Sequence, residues 1–197
     1  MKLELKQRWL FTKYNLTIFD SKVLYQSSKF GNKTEVYIPY EELTNFKESH
    51  YFNNTPSIIG MCLGIFGALV CLIPTDEPAD PSASLFYGII FLIALCVYFI
   101  TKEKVWKIRL QNGTYIFLFK NIPNEKQVDQ FIDTLFETRK KYLKDTYLFI
   151  EKNMPYESLL NNFIWLKKIE AIDNEEFEFN KTELNKAFNV EKRKIGF

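Results

Sequence analysis

The sequence predicts an α+β protein whose body is interrupted by a two-helix transmembrane hairpin and followed by a small C-terminal helical hairpin. Three observations carry this reading. Charge vanishes between Pro56 and Thr101, where there is no Lys, Arg or His and the only acids are Asp76, Glu77 and Asp80. The flanking segments are rich in strand formers broken by turn residues. A long apolar stripe at helical spacing follows the last of those strands.

The chain has 197 residues, 47% hydrophobic and 25% charged. Such averages describe an ordinary soluble domain, and the uncharged stretch overrides them. Its 26 Lys+Arg and 24 Asp+Glu give a net charge of +2; setting aside Asp76, Glu77 and Asp80 leaves +5 for the rest. That excess suits an anionic inner leaflet. It falls far short of the basic stripe of a nucleic-acid binder, so no nucleic acid is expected as partner. The opening MKLELKQRWL is charged and alternating, without the apolar core of a signal peptide.

Residues 1–55 open with strand candidates at 2–12 and 15–19. A turn at Asp20, Ser21 and Lys22 precedes a strand at 23–25. Gly31 and Asn32 turn the chain into 34–38, where Val36 and Ile38 alternate with Glu35 and Tyr37. Pro39 ends that strand, 40–43 make a short turn, and 44–48 form a further strand leading to the membrane.

Residues 56–101 read as a membrane hairpin, with spans at 57–74 and 84–101 and an outside turn at 75–83. Eighteen residues at about 1.5 Å each rise about 27 Å, close to the hydrocarbon thickness. The turn carries Pro78, Pro81 and the three acids, which stop a helix and require water. Lys47, His50, Lys102, Lys104, Lys107 and Arg109 flank the opposite ends. The positive-inside rule then makes this an integral inner-membrane protein with both termini cytoplasmic. Tyr51, Phe52, Tyr98 and Trp106 are positioned as interfacial aromatics.

Gly60, Gly64 and Ala68 are spaced by four with Gly67 beside them, a stripe that admits close helix approach. Ser84 and Gly88 offer a matching stripe on the second span. The stripe serves either packing within the hairpin or a contact with another subunit. Neither span holds an Asp, Glu, Lys, Arg or His, which disfavours an ion or proton pathway.

Residues 102–150 complete the body. Runs at 105–110 and 114–119 surround Gln111, Asn112 and Gly113, and Asn–Gly predicts a type I′ hairpin. Asn124 is placed to cap a helix, with Gln127 as its capping-box partner. Val128, Phe131, Ile132, Leu135, Phe136, Tyr142, Leu143, Tyr147 and Ile150 form that helix's apolar stripe. The strands before the membrane have no helix to cover them, and the strands after it supply one. Because two spans return the chain to the same side, the halves are expected to close into one α+β domain. Residues 153–190 then read as a helical hairpin, with Pro155 in the first turn of one helix and Asp173 or Asn174 capping the next.

The stretches at 11–18, 36–43 and 107–113, with the amphipathic helix after them, resemble bacterial pleckstrin-homology-like (PH-like) domain proteins over roughly residues 5–140. The resemblance implies a partly open β-barrel capped by a C-terminal helix, with a membrane hairpin inserted between strands. In eukaryotic relatives such folds bind phosphoinositides; Lys29 and Lys33 beside Gly31 are the nearest candidates here, against a plain reading as solvated turn lysines. Leu160, Phe163, Leu166, Ile172, Glu175, Glu176, Phe177, Lys181 and Leu184 resemble the short C-terminal domain called SHOCT, with Glu170 where glycine is usual and Asp173 for threonine. That likeness implies at most self-association.

Enzyme chemistry is poorly represented. Cys62, Cys71 and Cys96 lie in apolar stretches and read as packing residues, His50 has no placed partner, and no cofactor or metal is expected. The pairs Glu41–Glu42 and Glu175–Glu176 do not face one another on a regular element and read as solvated. The expected function is therefore non-enzymatic: protein–protein contact or self-assembly at the cytoplasmic face of the membrane. The alternative is recognition of anionic lipid headgroups through Lys102, Lys104, Lys107 and Arg109. An enzyme with an unrecognised site is a third possibility.

Overall fold

The structure is a computed structural model that describes residues 3–52, 55–71 and 81–189. It is an α+β architecture with two antiparallel sheets and, among the described residues, five helices. Two compact units result, one from residues 1–48 and 106–197 and one from residues 49–105.

In the first unit, β1 (Leu3–Trp9), β2 (Thr12–Ile18), β3 (Lys22–Lys29) and β4 (Asn32–Pro39) form an antiparallel meander in sequence order. The first reversal differs from expectation. It falls at Leu10 and Phe11 rather than beyond residue 12, and Asn15 lies mid-strand. Leu10 takes φ +46°, a left-handed conformation that apolar residues seldom adopt, so no turn residue marks the bend. The β3–β4 hairpin turns at Phe30 (φ +48°) and Gly31 (φ +88°). Leu5, Tyr14, Leu16, Ile18, Val23 and Tyr25 point inward by strand alternation. β4 departs from it: Asn32 through Tyr37 are all exposed, and only Ile38 is buried.

The second sheet runs β5 (Leu43–Phe52), β6 (Glu103–Leu110), β7 (Tyr115–Phe119). The β6–β7 turn is not type I′. Only Gly113 of the Asn–Gly pair has positive φ, +82°. The Gly113 N–H donates to the Leu110 carbonyl at 3.0 Å, and Asn112 Oδ1 accepts from the Thr114 N–H at 2.9 Å. Asn112 therefore acts as a side-chain cap.

Helix α3 (Glu125–Tyr147) is capped by Asn124, whose Oδ1 accepts from the Gln127 N–H at 2.9 Å. Val128, Phe131, Ile132, Leu135 and Leu143 are buried along its stripe, each burial contributing about 1.5–3 kcal/mol. Helix α4 (Tyr156–Lys168) and α5 (Asn174–Ala187) pack with the end of α3 around Leu143, Leu159, Phe163, Leu166, Phe177 and Leu184. Asp173, not Asn174, caps α5, in a full capping box with Glu176. The α4–α5 turn keeps Glu170 at φ +59°. The Ala171 N–H donates to the Leu166 carbonyl (2.9 Å) and that of Glu170 to Lys167 (3.1 Å), the bond pattern of a Schellman cap.

In the second unit, α1 (Thr55–Val70) and α2 (Pro81–Thr101) pack antiparallel, with Gly60, Gly64 and Gly67 against Ala94, Phe91 and Tyr87. α2 starts three residues before the expected span at 84. The end of the expected first span and most of the expected turn lie outside the described residues. Among the described residues one helix, within Ser82–Thr101, is long and apolar enough to cross a membrane; α1 has 16 described residues, about 24 Å of helix.

Candidate interaction surfaces

Gln7 continues the inward alternation of β1, so its polar side chain is delivered into the core, only 3% exposed. There its amide behaves as a strand partner for β7. Nε2 donates to the Phe119 carbonyl at 2.8 Å and to the Ile122 carbonyl, and the Phe119 N–H donates to Oε1 at 2.8 Å. The Tyr14 ring packs tilted against Phe119 with centroids 4.8 Å apart, and the Tyr25 hydroxyl lies 3.4 Å from both the N–H and the carbonyl of Phe117. Segments from before and after the apolar helices α1 and α2 are thus tied at several points.

Arg139 is the second such node. It stands in the α3 stripe between Leu135 and Leu143 and is fully buried without a carboxylate partner. Nε donates to the Tyr40 carbonyl (3.1 Å), Nη1 to Asn45 Oδ1 (3.0 Å) and Nη2 to the Ile169 carbonyl (3.3 Å). Burial lowers its pKa to about 10, while Glu170 and Glu41 pull it upward. Asn45 also donates to the Glu170 carbonyl at 3.1 Å. One side chain therefore anchors β5, the turn before it and the α4–α5 turn. Beside it lies a cleft of about 380 Å³ lined by Thr44, Phe46, Arg109, Gln111, Lys168 and Glu170.

The glutamate pairs expected to be solvated are split. Glu41 accepts from the Tyr147 hydroxyl at 2.8 Å, which pushes that phenol up to about 12. Glu176 pairs with Lys144 of α3, which holds its carboxyl below the usual range, and its other oxygen caps α5. Adjacent residues point apart, so one member of each pair turns inward while Glu42 and Glu175 stay exposed.

The basic residues near the apolar helix pair behave differently from one another. Lys102 lies over the Tyr98 ring (5.7 Å) and Lys104 over Tyr51 (5.5 Å), all in the second unit. Lys107, in the first unit, is paired with Glu48 at 2.8 Å and covers Tyr115, and Arg109 is exposed. Trp106 lies within β6, with Lys47 (5.1 Å) and Lys120 (4.5 Å) on its ring.

In the helix pair, a Cβ on Gly64 would sit 2.9 Å from Phe91 backbone N, and one on Gly67 would overlap the Tyr87 ring. Gly88 is not part of this contact, since a Cβ there would meet nothing within 4 Å. The counterpart of the glycine stripe is Tyr87, Phe91 and Ala94; Ala68 and Ser84 are half-buried. Cys62 and Cys96 are exposed rather than packed, on the outward apolar surface with Leu63, Phe66, Leu92 and Phe99. His50 meets Phe52 edge-on at 4.9 Å.

One surface was not anticipated. At the joint tip of the β1–β2 and β3–β4 hairpins Trp9, Leu10, Phe11 and Phe30 are all more than 40% exposed, with Phe11 and Phe30 stacked at 5.8 Å. Behind them Arg8, Lys13, Ser28 and Lys33 form one cross-strand row. The signals for Gln7 and Arg139 were present as polar residues in phase with apolar periodicity. The tip carried no such signal, because its residues read as strand formers.

No protein-family model, curated protein or solved structure matches this chain.

Proposed function

We propose that this chain is a non-enzymatic, membrane-anchored protein that crosses the inner membrane twice, through 57–74 and 84–101, and carries a PH-like body at the cytoplasmic face. The body acts there by protein–protein contact or self-assembly. The observation that carries the reading is the outward surface of the helix pair: Leu63, Phe66, Leu69, Leu85, Phe86, Leu92, Ile93 and Phe99 are all exposed, and a bilayer would remove that apolar surface from water. The seven strands in a four-plus-three arrangement, with α3 after them, support the PH-like assignment. The non-enzymatic part is supported by where the buried polar groups go, since Gln7 and Arg139 are consumed in joining segments. Alkaline carbonate washing of membranes expressing the full chain tests the anchor. The protein is expected in the pellet, and release into the wash would end this reading.

The tip favours a second reading, contact with anionic lipid. Apolar side chains at the apex with cations behind them match an interface whose headgroups are negative. Flotation of the full chain, held in amphipol, with vesicles with and without anionic lipid tests it. Binding should require anionic lipid, weaken with salt and fall in Phe11→Ser; indifference to all three rejects it.

A further inference from the structure

Strand β4 closes one edge of the four-stranded sheet, and from Asn32 to Tyr37 both of its faces are exposed. A strand this open offers a row of backbone donors and acceptors for pairing with another strand. The side chains on that edge are charge-patterned. On one face of the sheet Lys6, Asn15, Gln26 and Glu35 form a cross-strand row. Asn15 donates to Gln26 at 2.8 Å and Gln26 to Glu35 at 3.0 Å, so this row ends at the edge in a carboxylate. Two residues along, on the same face, the row Arg8, Lys13, Ser28 and Lys33 ends at the edge in a cation.

We infer that β4 pairs antiparallel with β4 of a second copy of this chain, about a two-fold axis at Thr34. This deepens the self-assembly reading proposed above and rests on it. The choice of register follows from elimination. An axis at Lys33 sets lysine against lysine, and one at Glu35 sets carboxylate against carboxylate. An axis at Val36 sets Lys33 against Pro39, which has no N–H to donate. The axis at Thr34 alone sets Lys33 of each copy opposite Glu35 of the other, twice per interface, and opposite charges directly across a strand pair attract. The carboxylate-ended row of one copy then runs into the cation-ended row of the other, and the two meanders become one eight-stranded sheet. Lys33 and Pro39 otherwise guard this edge against indiscriminate pairing. Confinement to one membrane raises the local concentration of the edges.

The test uses the full chain in nanodiscs, with Cys62, Cys71 and Cys96 replaced by alanine. A cysteine at Thr34 is treated with a short bis-maleimide, with Lys126→Cys on α3 as the control. Thr34→Cys is expected to give a cross-linked dimer and Lys126→Cys to remain monomeric. Lys33→Glu or Glu35→Lys alone should lower the cross-linked fraction about tenfold, and the double exchange should restore it. A Thr34→Cys yield no greater than the control, or a double exchange that restores nothing, overturns the proposal. A dimeric mass by light scattering without the Thr34 cross-link removes the β4 edge and leaves self-assembly standing. A monomeric mass removes both.

Discussion

Gln7 and Phe119 pair as though both were backbone: the Gln7 amide donates to the Phe119 carbonyl and accepts from its N–H, each at 2.8 Å. The two residues are 112 apart in sequence, and the apolar helices α1 and α2 lie between them. Gln7→Leu removes the amide and strands the buried N–H and carbonyl of Phe119. The expected loss is about 3 kcal/mol, from unsatisfied groups at about 1–3 kcal/mol each. Urea unfolding of the full chain in detergent measures it, and a loss below about 1 kcal/mol would show that the pairing contributes little.

Arg139 serves three acceptors on three segments through the guanidinium fork. Lysine is a point charge and cannot reach all three. Arg139→Lys should therefore cost about 1–2 kcal/mol and raise hydrogen exchange in the α4–α5 turn. Unchanged exchange there would argue against Arg139 as the anchor of that turn.

Glu170 holds φ +59° at the C′ position of α4, where glycine pays no steric penalty. Glu170→Gly should raise stability by about 0.5–1 kcal/mol, whereas Glu170→Val should lower it. Thermal unfolding of the two variants decides, and the reverse order would mean that the carboxylate near Arg139 outweighs backbone strain.

Gly64 and Gly88 differ in what surrounds them although both lie in apolar helices. Gly64→Ala forces a Cβ against the Phe91 backbone and should cost about 2 kcal/mol. Gly88→Ala meets open space and should be neutral or stabilising by up to about 1 kcal/mol. Unfolding midpoints in detergent distinguish the two, and equal effects would mean that the helices do not pack as described.

Two phenols sit at about 12. The Glu41 hydrogen bond raises Tyr147, and burial followed by Asp20 raises Tyr40. Folding favours their neutral forms, so this stabilisation is complete below the unfolded value near 10 and is lost as pH rises through about 12. Alkaline titration of tyrosinate absorbance should show a late component, reduced in Tyr147→Phe. A single transition near 10 would contradict the Tyr147–Glu41 contact.

Periodicity made much of this fold legible. The α3 stripe, the Asn124 cap and the place of the β6–β7 hairpin follow from spacing and turn residues, although the turn itself is not the type I′ that Asn–Gly implies. The first reversal did not, because Leu10 at φ +46° turns an apolar run that carries no turn residue. Alternation of Val36 and Ile38 marks the strand but not its burial: at the sheet edge Ile38 is buried while Val36 is 44% exposed. The interaction surfaces were hardest to foresee. Gln7 and Arg139 act through partners about a hundred residues away, and charge runs near the helices could not reveal that Lys107 is held by Glu48.

The central claim is that two spans return the chain to one side of the membrane, so that both flanks build one body. Its most direct test is labelling with a membrane-impermeant maleimide in vesicles of each orientation, using single cysteines at the exposed positions Lys13 and Lys126 in a chain whose native cysteines are replaced by alanine. The account predicts that both positions react from the cytoplasmic side and neither from the other. Reaction of Lys13→Cys and Lys126→Cys from opposite sides would contradict it.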